Sequence, residues 1–64
     1  MSTGRTIKSA ADLWIVTAEN GRVEEVFMSE QNAREYRAEV EAIMPRTYEA
    51  YRALARKHGT LFRD

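Results

Sequence analysis

Two apolar runs separated by Asn-Gly constrain the fold of this chain more than any other feature. Residues 13–16 read LWIV, residues 26–28 read VFM, and Asn20-Gly21 lies between them. A type I′ turn needs positive φ at both central residues, and Asn and Gly tolerate that conformation best. The stretch therefore predicts an antiparallel β-hairpin with strands over about 11–19 and 22–28.

Two helices are predicted after the hairpin. Ser29 is a good N-cap, because its hydroxyl can accept a hydrogen bond from a first-turn N–H. Apolar residues then recur with helical period over about 30–44, and Pro45 ends the helix. A second amphipathic stretch runs over about 47–58, and Gly59 fits the left-handed position that follows a helix. The sequence thus predicts an α+β fold, a β-hairpin followed by two α-helices in the order ββαα.

The two ends of the chain carry weaker patterns. Residues 1–10 are small and polar, so we expect a flexible N-terminal arm and a single domain over 11–64. Leu61 and Phe62 permit either a short third strand beside the hairpin or a hydrophobic latch, and the latch is favoured.

The predicted strand register leaves both faces of the hairpin apolar near its open end. Trp14 and Phe27 share one face, and Ile15 and Val26 share the other. A ribbon covered by helices on one side should bury only one face. The second face therefore predicts a third strand, a helical wrap or another chain, and Trp14 is a candidate interface aromatic.

Composition excludes several classes of protein. The chain has 64 residues, no net charge, one histidine and no cysteine. A domain of this size buries only about 60% of its unfolded surface, so tight helix packing, a self-partner or another protein should support it.

Disulfides and thiolate metal sites are impossible, and His58 alone cannot build a multi-histidine site. No apolar run could span a membrane and no signal peptide is evident, so we expect a cytoplasmic protein without metal or cofactor.

No sequence motif indicates an enzyme. Glu24 and Glu25 are adjacent in a predicted strand and should point to opposite faces, so they cannot converge as an acid/base pair. His58 has no accompanying nucleophile or ligand motif. We therefore expect a protein that is not an enzyme and has no catalytic residues.

Charge is distributed unevenly along the chain. Residues 11–44 carry a net charge of −5, and residues 45–64 carry +3. The two segments could neutralise each other on folding, or each could face its own partner. An acidic surface for a basic partner would use Asp12, Glu19, Glu24, Glu25, Glu35 and Glu39. The less favoured alternative is a nucleic-acid-binding or regulatory protein that uses Arg52, Arg56, Lys57 and Arg63 along a phosphate backbone.

The stretch LWIVTAENGRVEEVFMSEQNAREYRAEVEAI resembles the hairpin-then-helix of small proteins encoded by phages and other mobile elements. Anti-CRISPR inhibitors belong to that group. The resemblance implies a non-enzymatic protein-binding module that occludes a basic nucleic-acid-binding surface of a larger host complex, such as a CRISPR-Cas effector. It carries over no functional residue, and the basic C-terminal third departs from a full DNA mimic. A homodimeric structural module, joined through the second sheet face, is a further alternative.

Overall fold

Three antiparallel strands followed by two helices make up the part of the chain described by the computed structural model, residues 4–62. The strands form one sheet in the order β1-β2-β3. The α+β class and the hairpin followed by two helices are confirmed. The elements are β1 (Thr6–Ala10), β2 (Leu13–Thr17), β3 (Val23–Phe27), α1 (Glu30–Ile43) and α2 (Tyr48–Lys57).

The predicted flexible arm is wrong where it overlaps β1. Thr6–Ala10 pairs with β2 along its whole length, and a tight turn in which Ala11 has φ +53° connects the two strands. Strand β1 lies at the edge of the sheet and exposes all its residues except the half-buried Ile7. A single half-buried residue gives no readable alternation, which is why the pattern suggested an arm. Residues 1–3 of that arm lie outside the described part of the chain.

The additional strand therefore precedes the helices, and residues 60–62 form no strand. They form a hydrogen-bonded latch, and the favoured hydrophobic latch is wrong because both apolar side chains stay exposed. The Leu61 N–H donates to the Val26 carbonyl at 2.7 Å. Leu61 and Phe62 remain 46% and 40% exposed, so hydrogen bonds hold this latch more than apolar burial does.

Residues 18–22 connect β2 to β3, and Ala18 and Arg22 close a three-residue loop over residues 19–21, not the predicted type I′ turn. The Gly21 N–H donates to the Ala18 carbonyl at 2.9 Å, and the Ala18 N–H donates to the Arg22 carbonyl at 2.8 Å. Gly21 has positive φ but Asn20 does not, as in a type I turn followed by a left-handed glycine. The Asn20 side chain instead accepts from the Arg22 N–H at 3.0 Å.

The longer loop changes the strand register near the turn. The predicted pairing of Trp14 with Phe27 is confirmed, but Thr17 lies opposite Val23. Glu24 is thereby left as the extra residue of a β-bulge in β3. Bulges change the direction in which a side chain points, and this one affects the site described below.

Both helices begin at side-chain caps. The Ser29 hydroxyl accepts from the Asn32 N–H at 3.3 Å, and the Thr47 hydroxyl accepts from the Ala50 N–H at 3.1 Å. Each cap satisfies one of the backbone donors that a helix start leaves open. The cap predicted at Ser29 is confirmed.

The helix ends both use left-handed backbone. Met44, directly before Pro45, has φ +56° and ends α1. After α2, Gly59 has φ +84°, as predicted. The Thr60 N–H donates to the Ala55 carbonyl at 3.0 Å, which is the long hydrogen bond of a Schellman motif.

The core lies between the sheet and α1, with α2 packed against α1. The Phe27 and Tyr36 rings meet there with centroids 5.4 Å apart. On the opposite sheet face, Ile15 and Val26 are half-buried. The buried apolar residues are Val16, Phe27, Ala33, Tyr36, Val40 and Ala55.

Neither described helix has the length and apolar content needed to cross a membrane.

Candidate functional site

The acidic residues predicted to form one binding surface are not brought together. Glu25 lies opposite Val16 on the inner sheet face and is 2% exposed. The bulge turns Glu24 towards the same side, where it accepts from the Tyr36 hydroxyl at 2.9 Å. The prediction that Glu24 and Glu25 point to opposite faces is wrong, because simple strand alternation does not hold across a bulge.

Glu25 belongs to a buried ion pair that connects three segments. Its carboxylate lies 2.6 Å from the Arg52 guanidinium, and both side chains are buried. The Thr60 hydroxyl also donates to Glu25, at 2.6 Å, and Arg52 donates to the Phe62 carbonyl at 2.8 Å. The pair therefore ties β3 to α2 and to the C-terminal latch.

Glu24 forms a second ion pair beside the first. The Arg5 guanidinium donates to both oxygens of Glu24, at 3.0 and 2.8 Å, and lies 5.4 Å from the centre of the Tyr51 ring. Burial raises the pKa of the Tyr36 hydroxyl well above its usual value, and the neighbouring Glu24 charge raises it further. Tyr36 thus stays a neutral donor that fixes Glu24.

The helix glutamates also have partners within the fold. Glu39 accepts from the Lys57 ammonium at 2.9 Å and lies 2.7 Å from His58 Nε2. The hydrogen bonds from Lys57 and His58 lower the pKa of Glu39. Glu35 accepts from Gln31 at 3.0 Å. Gln31 and the end of α2 therefore supply partners for both helix glutamates within the fold.

The remaining predicted contacts are scattered. Asp12 and Glu19 are exposed, but they flank opposite ends of β2. Trp14 is half-buried and packs against the core, so most of its ring serves the fold. No single acidic face is formed by the described residues.

The basic set is also divided. Arg52 is buried in its ion pair with Glu25, and Lys57 pairs with Glu39, whereas Arg56 is exposed. Arg63 lies outside the described residues. Within the described residues, the basic set predicted to follow a phosphate backbone therefore does not form one exposed surface.

A surface that the sequence patterns did not indicate gathers most of the exposed apolar side chains. Seven large apolar residues are exposed within residues 4–62, and five of them line two neighbouring depressions. These five are named the apolar patch: Val23, Ile43, Met44, Tyr48 and Phe62, between 40% and 72% exposed.

The two depressions of the apolar patch share a common wall. One, of about 450 Å³, is lined by three members of the patch, and the other, of about 510 Å³, by Ile43 and Met44. Arg5 and Tyr51 line both. The two depressions therefore adjoin at the Arg5–Tyr51 contact, and Ile43, Met44 and Tyr48 place part of the patch where α1 meets α2.

Paired charges lie beneath the patch. Glu24, Glu25 and Arg52 all line the first depression together with Arg5, and these two arginines are bound to the two carboxylates. The two ion pairs balance each other's charge and are rigidly held, while the exposed Arg22 adds a positive charge to the lining. Chemically, this lining suits contact with apolar groups better than capture of a free ion.

The sequence patterns did not indicate the patch, because Ile43, Met44 and Tyr48 continue the apolar stripes of the two helices. A stripe predicts burial against a core, but these residues flank Pro45 between the two helices and remain exposed. One local pattern could have indicated the patch: Met44 and Tyr48 are large apolar residues on either side of the helix-breaking Pro45, with three residues between them.

No family model, curated protein or solved structure matches this chain. The fold and the patch define a small α+β domain with an exposed apolar surface, and residues 4–62 contain no cluster of three potential metal ligands.

Proposed function

We propose that this protein is a non-enzymatic protein-binding module whose contact surface is the apolar patch. The observation that carries the proposal is the gathering of five exposed apolar side chains around two shared depressions. With about 200 Å² for a fully exposed large side chain, their exposed area is on the order of 500 Å². Patches of that size on monomers often mark interaction sites.

The residue types of the patch support the proposal. Tyr, Phe, Met and Arg are enriched in interface cores, and the patch presents Tyr48, Phe62 and Met44 around Arg5. The ion pairs beneath it are already formed, so binding an apolar partner would leave no charge newly unpaired. Both features favour a partner that offers apolar side chains.

Within the class of protein-binding modules, the inhibitor that the resemblance implies would bind through apolar contact, not as an acidic mimic of nucleic acid. Glu24, Glu25 and Glu39 are bound within the fold, so the patch would occlude the host complex by apolar contact. A CRISPR-Cas effector in the cytoplasm is the partner that the resemblance suggests. A cysteine-free chain agrees with that compartment.

Site-specific photo-crosslinking tests the proposal. A photoreactive amino acid replaces Tyr48 in the patch or, as the control, the exposed Ala38 on another face of α1, and the protein is irradiated in producing cells. We expect a discrete crosslinked partner, identified by mass spectrometry, from position 48 and none from position 38. Equal labelling at both positions, or no product from position 48, would contradict the proposal.

Affinity for the identified partner then provides a quantitative test. Tyr48→Ala should weaken binding by about tenfold or more, as expected for an interface aromatic. Met28→Ala is the matched control, because Met28 is 65% exposed but lies outside the patch. It should change the affinity less than about twofold. Similar losses from both variants would show that the patch is not the contact surface.

A further inference from the structure

We infer that the apolar patch binds a second copy of this chain and forms a two-fold symmetric homodimer. The inference rests on the proposed function and names a second copy as the partner of the same surface, in place of the host complex that the resemblance suggests. It places the dimer where α1 meets α2, not at the second sheet face that the sequence suggested.

Met44 provides the first argument. Its φ of +56° lies in the left-handed region, where helix ends most often place glycine because a side chain there is strained. Met44 is also the most exposed member of the patch, at 72%. Strain and exposure at one residue favour a role outside the isolated fold. Burial of the Met44 side chain against another copy would explain both its strained backbone and its exposure.

Shape provides the second argument. Met44 and Tyr48 are the two most exposed patch members, at 72% and 63%, and each borders one of the two depressions. A two-fold interface brings the same surface of both subunits together. The exposed side chains of one copy can therefore fill the depressions of the other, and the reverse contact follows from symmetry.

Charge provides the third argument. The chain has no net charge, and proteins near zero net charge associate more readily with themselves. The edge of the second depression carries both signs, since Arg46 and Glu41 line it. An edge that carries both signs of charge does not repel its own copy.

Area decides between the patch and the second sheet face. The patch offers on the order of 500 Å² of apolar area per chain, and its polar edge can supply the remainder of the roughly 800 Å² per partner found in standard interfaces. On the second sheet face, Leu13, Ile15 and Val26 are already half-buried within the chain. Their further burial adds less area, so the patch is the better dimer surface.

Sedimentation equilibrium of the full chain tests the inference. At concentrations up to about 1 mM, the wild-type protein should approach twice its monomer mass of 7.4 kDa, because even a weak dimer forms in that range. Met44→Gly and Tyr48→Glu should each raise the dimer dissociation constant by about tenfold or more. Met28→Glu, which alters an exposed methionine outside the patch, should leave it unchanged.

A second measurement separates dimerisation from folding. At high dilution, where dimerisation contributes nothing to stability, Met44→Gly should raise the melting temperature because it removes backbone strain. Loss of the dimer together with a more stable monomer is a result that a merely structural Met44 would not give. A wild-type mass of one chain at about 1 mM, or equal disruption by Met28→Glu, would overturn the inference. A monomer that is still crosslinked to another protein through position 48 would leave the proposed function intact.

Discussion

The buried pair of Glu25 and Arg52 shows how one residue can be misassigned by its charge. In the sequence, Glu25 belongs to an acidic stretch and Arg52 to a basic helix face. In the fold, their side chains are 2% and 7% exposed and lie 2.6 Å apart. Both residues therefore stabilise the fold, and charge reversal at Glu25 would test folding more than binding.

Glu25→Gln is expected to destabilise the protein by roughly 3–5 kcal/mol, because it leaves the Arg52 charge buried without a carboxylate. That is a large part of the total stability of a small domain. Urea denaturation followed by circular dichroism measures the change. Glu30→Gln is the matched control, since its ion pair with Arg34 is exposed, and it should cost less than about 0.5 kcal/mol. Similar losses would contradict the structural role of the buried pair.

Ala11 carries a smaller strain that a single substitution can release. It has φ +53° in the β1–β2 turn, where glycine adopts that conformation at no steric cost. Ala11→Gly should therefore raise the stability by up to about 1 kcal/mol. Ala42→Gly, in the exposed part of α1, should instead lower it by about 1 kcal/mol. Thermal unfolding distinguishes the two directions, and a loss of stability from Ala11→Gly would show that no strain is released.

At the scale of elements, the contact between α1 and the end of α2 depends on a titratable group. Hydrogen bonds from Lys57 and His58 lower the pKa of Glu39 below its usual 4.5. A carboxylate with a lowered folded-state pKa stabilises the fold above its unfolded pKa, and that contribution is lost as pH falls through the folded value. The helix contact should therefore weaken in acid.

Urea midpoints measured from about pH 5.5 to about pH 3 test this behaviour, because that range spans the pH over which a glutamate titrates. Wild-type protein should be more stable than Glu39→Gln near pH 5.5, and the difference should shrink below about pH 4.5 as Glu39 protonates. A difference that stays constant across the range would show that Glu39 does not titrate with the helix contact.

The elements also show what sequence patterns can and cannot predict. The helices were predictable because Ser29, Pro45 and Gly59 determine where a helix begins or ends through the backbone of adjacent residues. Strand β1 was not, because its pairing with β2 leaves only Ile7 half-buried. The bulge at Glu24 was not predictable either, since it depends on the three-residue loop, which the Asn-Gly pattern did not specify.

At the scale of the molecule, several of the unevenly distributed charges form ion pairs with each other inside the fold. Glu25 pairs with Arg52 and Glu39 with Lys57, so the acidic segment and the basic segment bind each other across the fold. These pairs join residues 27 and 18 positions apart, a separation that spacing rules do not cover. The proposed contact surface is apolar, and part of it forms where the start of α2 lies beside the β2–β3 loop.

The most direct test of the apolar patch as the contact surface is NMR of protein labelled with ¹³C at the methionine methyl groups. Met44 lies in the patch, whereas Met28 is similarly exposed outside it and serves as an internal control. When the protein is concentrated or an identified partner is added, the Met44 methyl signal should shift or broaden and the Met28 signal should stay in place. A Met44 signal that never changes, or a change confined to Met28, would contradict the account.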